Sequence, residues 1–578
     1  MHNKWDFFIL SISIKKKFFS SWRANHNYLN NRALSFVFVH MKKVIVVGLD
    51  GATLDLMEPW MDAGKLPHFD HLRKQGASGR LRSTIPPYSA PAWVSIITGV
   101  NPGKHGIYDF FRTDTFSKKL VSSRYRKAPA IWNYLTEHGK KSIVVNVPGS
   151  YPPEKISGIM ISGLLTPSEE SENTYPPALK QDLVEGKLGV FEFEQIGADD
   201  LPKSLVARYD PQKLVDMTNA ATESHATVTL NLLKQHEWDF AMVVFRGTDD
   251  VQHLLWGHED LIFSCYQKAD ESLGKFQEAF PDAVFILVSD HGFGKPKKYL
   301  YVNNILYNAG YLKTFSDPQR AFSNVLLTMF DKFSWFFYHL IPIRRLARSR
   351  IGQRLIFSSG GNKNIDFSTT QAVYQSICSW GIKINRKDIE GKGVVTSDDY
   401  ERLRDDLIRL FSELTDPETG ERIVKKVYRW EEVYGKDAVN NPLDLIFEME
   451  SGYSTHELLK PVGASSPGIK NGRKQLPYLV APDFYDWIGD HRPEGVVFIA
   501  GPGIKSHQRI SASVVDIVPT VLVLMELPLP LSLDGTVIRD AFVTPPKTTK
   551  ARRTRKEVAT NLLSEGELRK IRQLRSKL

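Results

Sequence analysis

The sequence predicts an α/β protein with a three-layer α/β/α core on a mostly parallel sheet, plus an inserted cap. Several short β-branched runs are apolar at every position rather than at alternate ones, among them 44–47, 240–245 and 284–288. Unbroken apolar runs are typical of strands that helices cover on both faces. Helical segments lie between these runs, so strands and helices alternate along the chain. A stretch of different composition, 295–485, interrupts the alternation and predicts the cap.

The chain divides into five predicted segments. We expect residues 1–40 to be a non-native or disordered extension, because the sequence from Met41 reads MKKVIVVGLDG, the opening of a first buried strand. The cap contains an aromatic-rich stretch, 322–338, and a basic stretch, 344–354. The five segments are the extension 1–40, the first part of the core 41–294, the cap 295–485, the C-terminal part of the core 486–545 and a basic tail 546–578.

The net charge of +10 is concentrated at the two ends of the chain. Residues 1–40 carry a net charge of +5 and residues 546–578 carry +8, so the body, 41–545, carries −3. A body without excess positive charge lacks the signature of polyanion binding, and we expect no nucleic acid partner. The two cysteines are far apart and give neither a metal-binding spacing nor the disulfide framework of small secreted folds.

No apolar run approaches the roughly 20 residues that a membrane-spanning helix needs. The apolar stretch 7–14 precedes the lysines at 15–17 instead of following them, so the N-terminus does not resemble a signal peptide. We therefore expect a cytoplasmic protein. Aromatic residues followed by arginines at 333–350 leave two interpretations, a peripheral contact with a membrane surface or an amphipathic helix packed on the cap.

Acidic residues closely follow three of the predicted strands, at Asp50, Asp249 and Asp290. The carboxyl ends of parallel strands meet at one edge of a sheet, where ligands bind, so we expect these side chains to lie together. A single aspartate at a strand end is more often a helix cap, and the joint pattern is what indicates a site.

Histidines accompany these aspartates. His253 lies four residues after Asp249, which places both on one face of a helix, and His291 directly follows Asp290. Mixed carboxylate and imidazole ligands suit zinc, manganese or iron better than calcium or magnesium. The candidate metal ligands are Asp50, Asp249, His253, Asp290, His291 and His491.

Ser89 is the candidate nucleophile. It stands in a turn stiffened by prolines on both sides, and the small Ala90 leaves its hydroxyl open to a ligand. Residues 94–98 read as the start of a helix, whose N-terminal N–H groups would face phosphate oxygens near Ser89. The alternative is that Ser89 serves only as the N-cap of that helix.

Eight ordered segments resemble the type I phosphodiesterase/nucleotide pyrophosphatase branch of the alkaline phosphatase superfamily. They span about 41–540, with the cap covered poorly. The resemblance implies an alkaline phosphatase-like fold and a phosphoester substrate. The segments are GLDG at 48–51, the S-x-P turn at 89–91, TGVNPGKHGI at 98–107, TDDVQH at 248–253, SDHGF at 289–293, GDHRPEGVVFIAGPGIK at 489–505, DIVPTVL at 516–522 and DGTVI at 534–538.

The resemblance also implies roles for individual residues. One metal ion would be held by Asp50, Asp290 and His291, with the Ser89 oxygen as a further ligand. A second would be held by Asp249, His253 and His491. The implied cofactors are two divalent ions, zinc with manganese as the alternative, and the implied reaction is hydrolysis through a phosphoserine on Ser89.

One position departs from the family pattern. Nucleotide-cleaving relatives carry an asparagine after the HGI-x-D stretch that donates to a phosphate oxygen, and here that position is Phe110. Arg112 is the nearby candidate for substrate binding. The departure leaves the substrate, and the choice between monoester and diester, open.

Three rival functions share parts of these patterns. A sulfatase needs an arginine two residues after the proline of the serine turn, where this chain has Trp93. A phosphomutase shares the implied fold but not the surroundings of the serine. A membrane-surface protein that binds or acts on lipid-linked phosphoesters would use 333–350.

Overall fold

The computed structural model describes most of the predicted core and parts of the predicted cap. The extension 1–40, the candidate membrane segment 333–350 and nearly all of the basic tail lie outside the described residues, so the expectations for them stay predictions. The described residues are 43–114, 119–167, 170–193, 206–207, 210–315, 365–376, 378–390, 393–440, 442–456, 469–470, 473–474, 478–480 and 488–549.

The described strands are numbered in chain order. They are β1 Val44–Leu49, β2 Gly76–Arg82, β3 Ser142–Val147, β4 Gly158–Ser162, β5 Thr174–Tyr175, β6 Phe240–Phe245, β7 Val284–Val288, β8 Gly292–Gly294, β9 Lys298–Tyr301, β10 Ala372–Val373, β11 Gly381–Ile384, β12 Val424–Arg429, β13 Leu445–Met449, β14 Tyr453–His456, β15 Ile469–Lys470, β16 Arg473–Lys474, β17 Leu479–Val480, β18 Asp490–Arg492, β19 Glu494–Ala500 and β20 Gln508–Ser513.

The described α-helices are numbered in the same way, and two 3₁₀ turns, Val514–Asp516 and Arg539–Ala541, accompany them. The helices are α1 Leu54–Asp62, α2 Pro67–Gln75, α3 Ser89–Thr98, α4 Pro102–His105, α5 Ile131–Glu137, α6 Leu179–Val184, α7 Pro211–Gln235, α8 Gly247–Leu255, α9 Glu259–Ala279, α10 Val302–Ala309, α11 Lys387–Glu390, α12 Ser397–Ser412, α13 Trp430–Tyr434 and α14 Ile517–Leu524. Among the described residues, no helix has the length and apolar character needed to cross a bilayer.

A nine-stranded sheet forms the centre of the core, in the order β20-β2-β19-β7-β1-β6-β3-β4-β5. The five strands β7, β1, β6, β3 and β4 are parallel, and β2 pairs in parallel with β20. Strand β19 runs antiparallel to both β7 and β2, and β5 runs antiparallel to β4. The predicted α/β class with a mostly parallel sheet is confirmed.

Helices cover both faces of this sheet. Ile45 and Val47 of β1 belong to an apolar cluster with helices α1, α2, α7 and α9, whereas Val44 and Val46 belong to another with α3, α5 and α14. Alternate residues of a strand point to opposite faces, so an unbroken apolar run supplies both clusters. The core therefore has the three predicted layers.

The region between β8 and β18 contains its own small sheets. Strands β10, β11, β13 and β12 form a four-stranded sheet on which α12 packs, and β14, β9 and β17 form another. A third apolar cluster fills this region and includes Tyr88 of the core turn. These elements lie where the cap is predicted; the segment boundaries themselves stay predictions.

Candidate active site

Three neighbouring strands bring the predicted aspartates to one edge of the sheet. Strand β1 lies between β6 and β7, with Leu49 opposite Phe245 and Gly48 opposite Val288. The backbone N–H of Asp50 donates to the Phe245 carbonyl at 2.9 Å, which ties the ends of β1 and β6 together. Asp50, Asp249 and Asp290 all follow these strand ends and are buried. Parallel pairing in this register is what places three carboxylates together.

Asp50 is held with one carboxylate oxygen turned to the protein and the other to the site. Its Oδ2 accepts a hydrogen bond from the Trp93 indole at 3.0 Å, and Arg246 lies 3.9 Å away. Its Oδ1 faces Ser89 at 3.3 Å and His291 at 3.5 Å. Burial, and then the neighbouring charge of Asp249, raise the pKa of Asp50 to about 7. Burial beside a second carboxylate thus disfavours the charged form of Asp50, and a further positive charge at its open side would stabilise that form.

Ser89 begins helix α3 and points its hydroxyl into the same space. Its Oγ lies 3.2 Å from Nε2 of His291 and 3.3 Å from Oδ1 of Asp50. The N-cap is Tyr88, which makes no side-chain capping bond, so the alternative that Ser89 serves only as an N-cap is wrong. The helix N-terminus lies directly at the hydroxyl, as a phosphate-binding arrangement requires.

All three predicted histidines direct Nε2 toward the carboxylates of the site and Nδ1 toward the backbone. Each places Nδ1 at 3.0–3.1 Å from a backbone carbonyl: Gly292 for His291, Gly489 for His253 and Pro87 for His491. A neutral imidazole that donates through Nδ1 has a free electron pair on Nε2. Bonds of this kind fix the tautomer and orientation of histidines that bind metals.

The inward nitrogens converge on Asp249. Its Oδ1 lies 3.3 Å from Nε2 of His491, 3.5 Å from Nε2 of His253 and 4.0 Å from Nε2 of His291. Asp249 and His253 lie one turn apart on α8, and the short pairing of β18 with β8 places His491 against His291, with ring centroids 3.6 Å apart. Two groups with mutually close ligand atoms result, Asp249, His253 and His491, and Asp50, Asp249 and His291.

Asp290 completes the cluster from the end of β7. One carboxylate oxygen accepts from the backbone N–H of Gly51 at 3.3 Å. The other, Oδ2, is buried without a hydrogen-bond partner and lies 3.3 Å from Nε2 of His291. Burial, and then the charges of Asp50 and Asp249, hold the pKa of Asp290 well above its usual range.

These residues fit divalent cations. Oδ1 of Asp249 and Oδ2 of Asp290 are buried and accept no hydrogen bond. Burial raises the pKa of Asp249, but the nearby imidazoles, His253 first, outweigh it and lower that pKa overall. Burial likewise lowers the pKa of His491, and the Asp249 carboxylate raises it overall. The lowered pKa of Asp249 and the raised pKa of His491 both show that the site favours positive charge. Carboxylate and imidazole donors match zinc or manganese.

A second set of residues holds the loop that carries Asp50. Thr248 donates to the Asp50 carbonyl at 2.5 Å, and Gln252 donates to the Gly51 carbonyl at 2.9 Å. Gly51 has φ of +68°, and a side chain there would meet Oδ1 of Asp249 at 3.1 Å. Sequence reasoning missed Trp93, Arg246 and Gln252. For Gln252 a signal was present, since it lies inside the TDDVQH segment.

The charge of Arg112 is already neutralised by a neighbouring carboxylate. Its guanidinium pairs with Asp114 at 2.5 Å and lies over the ring of Tyr125. Its substrate-binding role therefore stays a prediction. Phe110 and Ala90 instead line a small pocket with Arg126, another residue that sequence reasoning missed. Arg126 is bonded to Glu154 at 2.7 Å, and its Nη1 is buried without a hydrogen-bond partner.

Two curated proteins are similar in sequence to part of this chain. The human and mouse proteins called ectonucleotide pyrophosphatase/phosphodiesterase family member 1 are 24% identical over 286 residues and 23% identical over 291 residues. Each alignment covers 47% of this chain, but 26% of the human protein and 27% of the mouse protein. The chain thus spans about a quarter of the length of these curated relatives.

Solved structures with similar chains include human ectonucleotide pyrophosphatase/phosphodiesterase 5, at a TM-score of 0.48 and 12% identity over 87% of this chain and 100% of that one. Another is phosphonoacetate hydrolase from Sinorhizobium meliloti 1021 with phosphonoformate, at a TM-score of 0.49 and 15% identity over 83% of this chain and 95% of that one.

The family model for type I phosphodiesterase/nucleotide pyrophosphatase matches residues 44–457, most of the chain. This match confirms the branch of the alkaline phosphatase superfamily that the sequence motifs predicted. The chain is a member of the type I phosphodiesterase/nucleotide pyrophosphatase family.

Proposed function

We propose that this protein hydrolyses phosphate mono- or diesters through a phosphoserine intermediate on Ser89. The observation that carries the proposal is the position of the Ser89 hydroxyl, 3.2 Å from Nε2 of His291 and 3.3 Å from Oδ1 of Asp50. Both atoms are ligand atoms with free electron pairs, so the hydroxyl oxygen lies where it would share their cation. Metal coordination is an established way to activate a serine nucleophile.

Two divalent cations, zinc or manganese, would bind here. Asp50, Asp290 and His291 would hold one together with the Ser89 oxygen. When bound, the cations supply positive charge that favours the serine alkoxide and neutralises charge on the phosphoryl group and the leaving oxygen. The second would be held by Asp249, His253 and His491.

The residues of the chain perform the remaining tasks. The Ser89 oxygen forms a bond to phosphorus while the bond from phosphorus to the leaving oxygen breaks. The N-terminus of α3 faces the phosphoryl oxygens with its dipole. Water then attacks phosphoserine, the bond from phosphorus to Ser89 breaks, and phosphate or a phosphomonoester leaves. Hydrogen bonds from Trp93 and Thr248 hold Asp50 in place throughout.

Ser89→Ala tests the covalent route. The variant should keep its fold and its metal content, because the six other candidate ligands all lie outside the serine segment and Asp50 retains its bond to Trp93. Turnover of aryl phosphate monoesters and diesters should fall by roughly three orders of magnitude or more, as expected when a nucleophile is removed. Acid quenching of the wild-type protein with labelled substrate should trap phosphate on the peptide that contains Ser89.

Near-normal turnover by Ser89→Ala would contradict the proposal and favour direct attack by water. The matched control for Ser89→Ala is Ser95→Ala, because Ser95 lies six residues further along the same helix. It is fully buried, and its Oγ lies 3.0 Å from His105, away from the cluster. Ser95→Ala should leave the trapped phosphoserine in place.

A further inference from the structure

A small cavity that begins one residue from the nucleophile has a buried cationic nitrogen in its wall. Ala90, which directly follows Ser89 at the start of α3, lines this cavity together with Arg126. The Arg126 side chain is 3% exposed, and its Nη1 is buried without a hydrogen-bond partner. Buried polar groups in folded proteins nearly always have partners, so an unpaired guanidinium nitrogen at a cavity indicates a place for an acceptor atom.

The other two nitrogens of this guanidinium are held by hydrogen bonds. Nε of Arg126 donates to the Ala128 carbonyl at 2.8 Å, and Nη2 donates to the Glu154 carboxylate at 2.7 Å. The Trp132 indole also donates to Glu154 at 2.7 Å, which holds that carboxylate in place. Because a guanidinium is planar and rigid, two fixed nitrogens also fix the direction of the third. Nη1 therefore cannot turn to another partner unless these bonds break.

The cap region holds part of the cavity wall in place. Nδ2 of Asn440 donates to the backbone carbonyls of Gly106 and Tyr125, each at 3.0 Å. These two residues directly precede Ile107 and Arg126, which both line the cavity. Asn440 has φ of +61°, in the left-handed region that asparagine adopts more readily than most residues. The cavity is therefore formed without a ligand, as binding sites for small molecules usually are.

The size and the lining of the cavity limit what it can bind. Its volume of about 10 Å³ admits roughly one water-sized group, which excludes a nucleobase ring. A single oxygen atom fits, and an anionic oxygen makes the stronger, charge-assisted bond to a guanidinium. Most of the other lining side chains are apolar and offer that oxygen no competing donor, among them Val94, Ile107, Phe110, Val121 and Leu165.

We propose that Nη1 of Arg126 binds one carboxylate oxygen of the substrate in this cavity, which makes phosphate esters of small hydroxy acids the substrate class. This inference rests on the proposed hydrolysis at Ser89. The ester places its phosphoryl group at Ser89, while the carboxylate at the other end of its short carbon chain accepts from Nη1. Arg126 thus determines specificity, because it binds the organic part of the substrate and not the reacting atoms.

Three esters of similar shape test the proposal. At the same position phosphoglycolate carries a carboxylate, hydroxyacetone phosphate a ketone and isobutyl phosphate two methyl groups, and their methyl diesters extend the comparison to diesterase activity. The wild-type protein should favour phosphoglycolate over isobutyl phosphate in kcat/KM by about a hundredfold, because the apolar ester leaves Nη1 unpaired. Arg126→Met removes the donor and should reduce this preference by about tenfold or more. A ketone preferred to the carboxylate would overturn the proposal.

The matched control is Arg404→Met in helix α12 of the cap region. The Arg404 side chain is also 3% exposed and also bonds a carboxylate, that of Glu431 at 2.6 Å. This variant should leave the preference unchanged. Val121→Phe fills the cavity without removing the guanidinium and should abolish the preference, so the proposal stays testable if Arg126→Met does not fold. Each variant is checked for metal content and by circular dichroism, so that a folding defect is recognised.

Calorimetric binding of phosphoglycolate and isobutyl phosphate to Ser89→Ala separates this inference from the proposed function. Tighter binding of phosphoglycolate that Arg126→Met abolishes supports the carboxylate site even where turnover is absent. Equal binding of the two esters, or a preference that survives Arg126→Met, would overturn the carboxylate site and leave the hydrolysis at Ser89 standing. Absence of phosphoserine and of turnover on every ester would instead count against the proposed function.

Discussion

The Nε2 atoms of His253 and His491 lie 2.9 Å apart, although each ring already directs its Nδ1 to a backbone carbonyl. If both Nδ1 atoms donate, two electron pairs face each other beside the Asp249 carboxylate. That arrangement is repulsive unless a positive charge lies between them. A cation ligated by all three side chains removes the repulsion. We expect the following consequences.

The two metal positions should be separable. Asp50→Ala removes a carboxylate from the position beside Ser89, and His491→Ala removes an imidazole from the position beside His253. Each variant should lose about one of two bound metal equivalents, measured by elemental analysis of the purified protein. Full metal content in both variants would contradict the ligand assignment. Asp55→Ala, an exposed carboxylate near Asp50 in sequence, is the control and should keep both ions.

Removing the cations should destabilise the fold. Asp50, Asp249 and Asp290 are buried together, and their mutual repulsion is unrelieved without positive charge. Chelation should lower the Tm by several degrees, since a ligand at a thousand times its Kd stabilises the native state by about 4 kcal/mol. Zinc or manganese should restore the Tm in differential scanning calorimetry, and calcium should not. A Tm indifferent to chelation would show that no cation is bound at these carboxylates.

Trp93 should position Asp50 through its indole N–H. Trp93→Phe keeps a ring in the core but removes the 3.0 Å bond to Oδ2 of Asp50. Loss of a hydrogen bond that holds a metal ligand typically lowers metal affinity by about 10–100-fold. Competition with a chromophoric chelator measures this loss. Trp132→Phe is the matched control, because Trp132 is also fully buried and also donates to a carboxylate, that of Glu154. Equal metal affinity in the two variants would contradict the positioning role.

Cys265 should be unreactive in the native protein. Burial raises the pKa of its thiol to about 12, so at pH 8 roughly one molecule in ten thousand carries the reactive thiolate. Native protein treated with iodoacetamide at pH 8 should therefore be modified at Cys378 long before Cys265, as read by peptide mass mapping. Because thiolate grows as pH approaches the pKa, the rate at Cys265 should rise with pH up to 12, and denaturant should remove the difference. Equal native rates would show that Cys265 is accessible.

Much of the active site could be predicted from the sequence because strand ends are local features. An apolar run followed by an acidic residue identifies Asp50, Asp249 and Asp290 without knowledge of the pairing, since any mostly parallel sheet gathers such ends. The i, i+4 spacing of Asp249 and His253 likewise needs only the local helix α8. Periodicity and order along the chain were therefore sufficient for these residues.

Other features depended on contacts between distant segments. Strand β19 runs antiparallel, so its amino end, just after His491, lies at the active site, whereas the sequence shows only another apolar run. The bond from Trp93 to Asp50 and the approach of Trp380 to Tyr88 join segments 43 and 292 residues apart. Their geometry is set by helix packing and by the register of β11, which no local pattern encodes.

By itself, the sequence determined the alternation of strands and helices, the order of the motifs and the residue types that offer electron pairs to a cation. Only the tertiary structure decided which nitrogen of each histidine faces the carboxylates, that Asp249 lies close to all three imidazoles, and that Trp380 packs against Tyr88. The physical reason is the distance along the chain over which each kind of interaction acts. Backbone propensity and periodicity act over a few residues, whereas ring orientation depends on carbonyls at Pro87, Gly292 and Gly489 that only the folded chain brings within hydrogen-bonding distance.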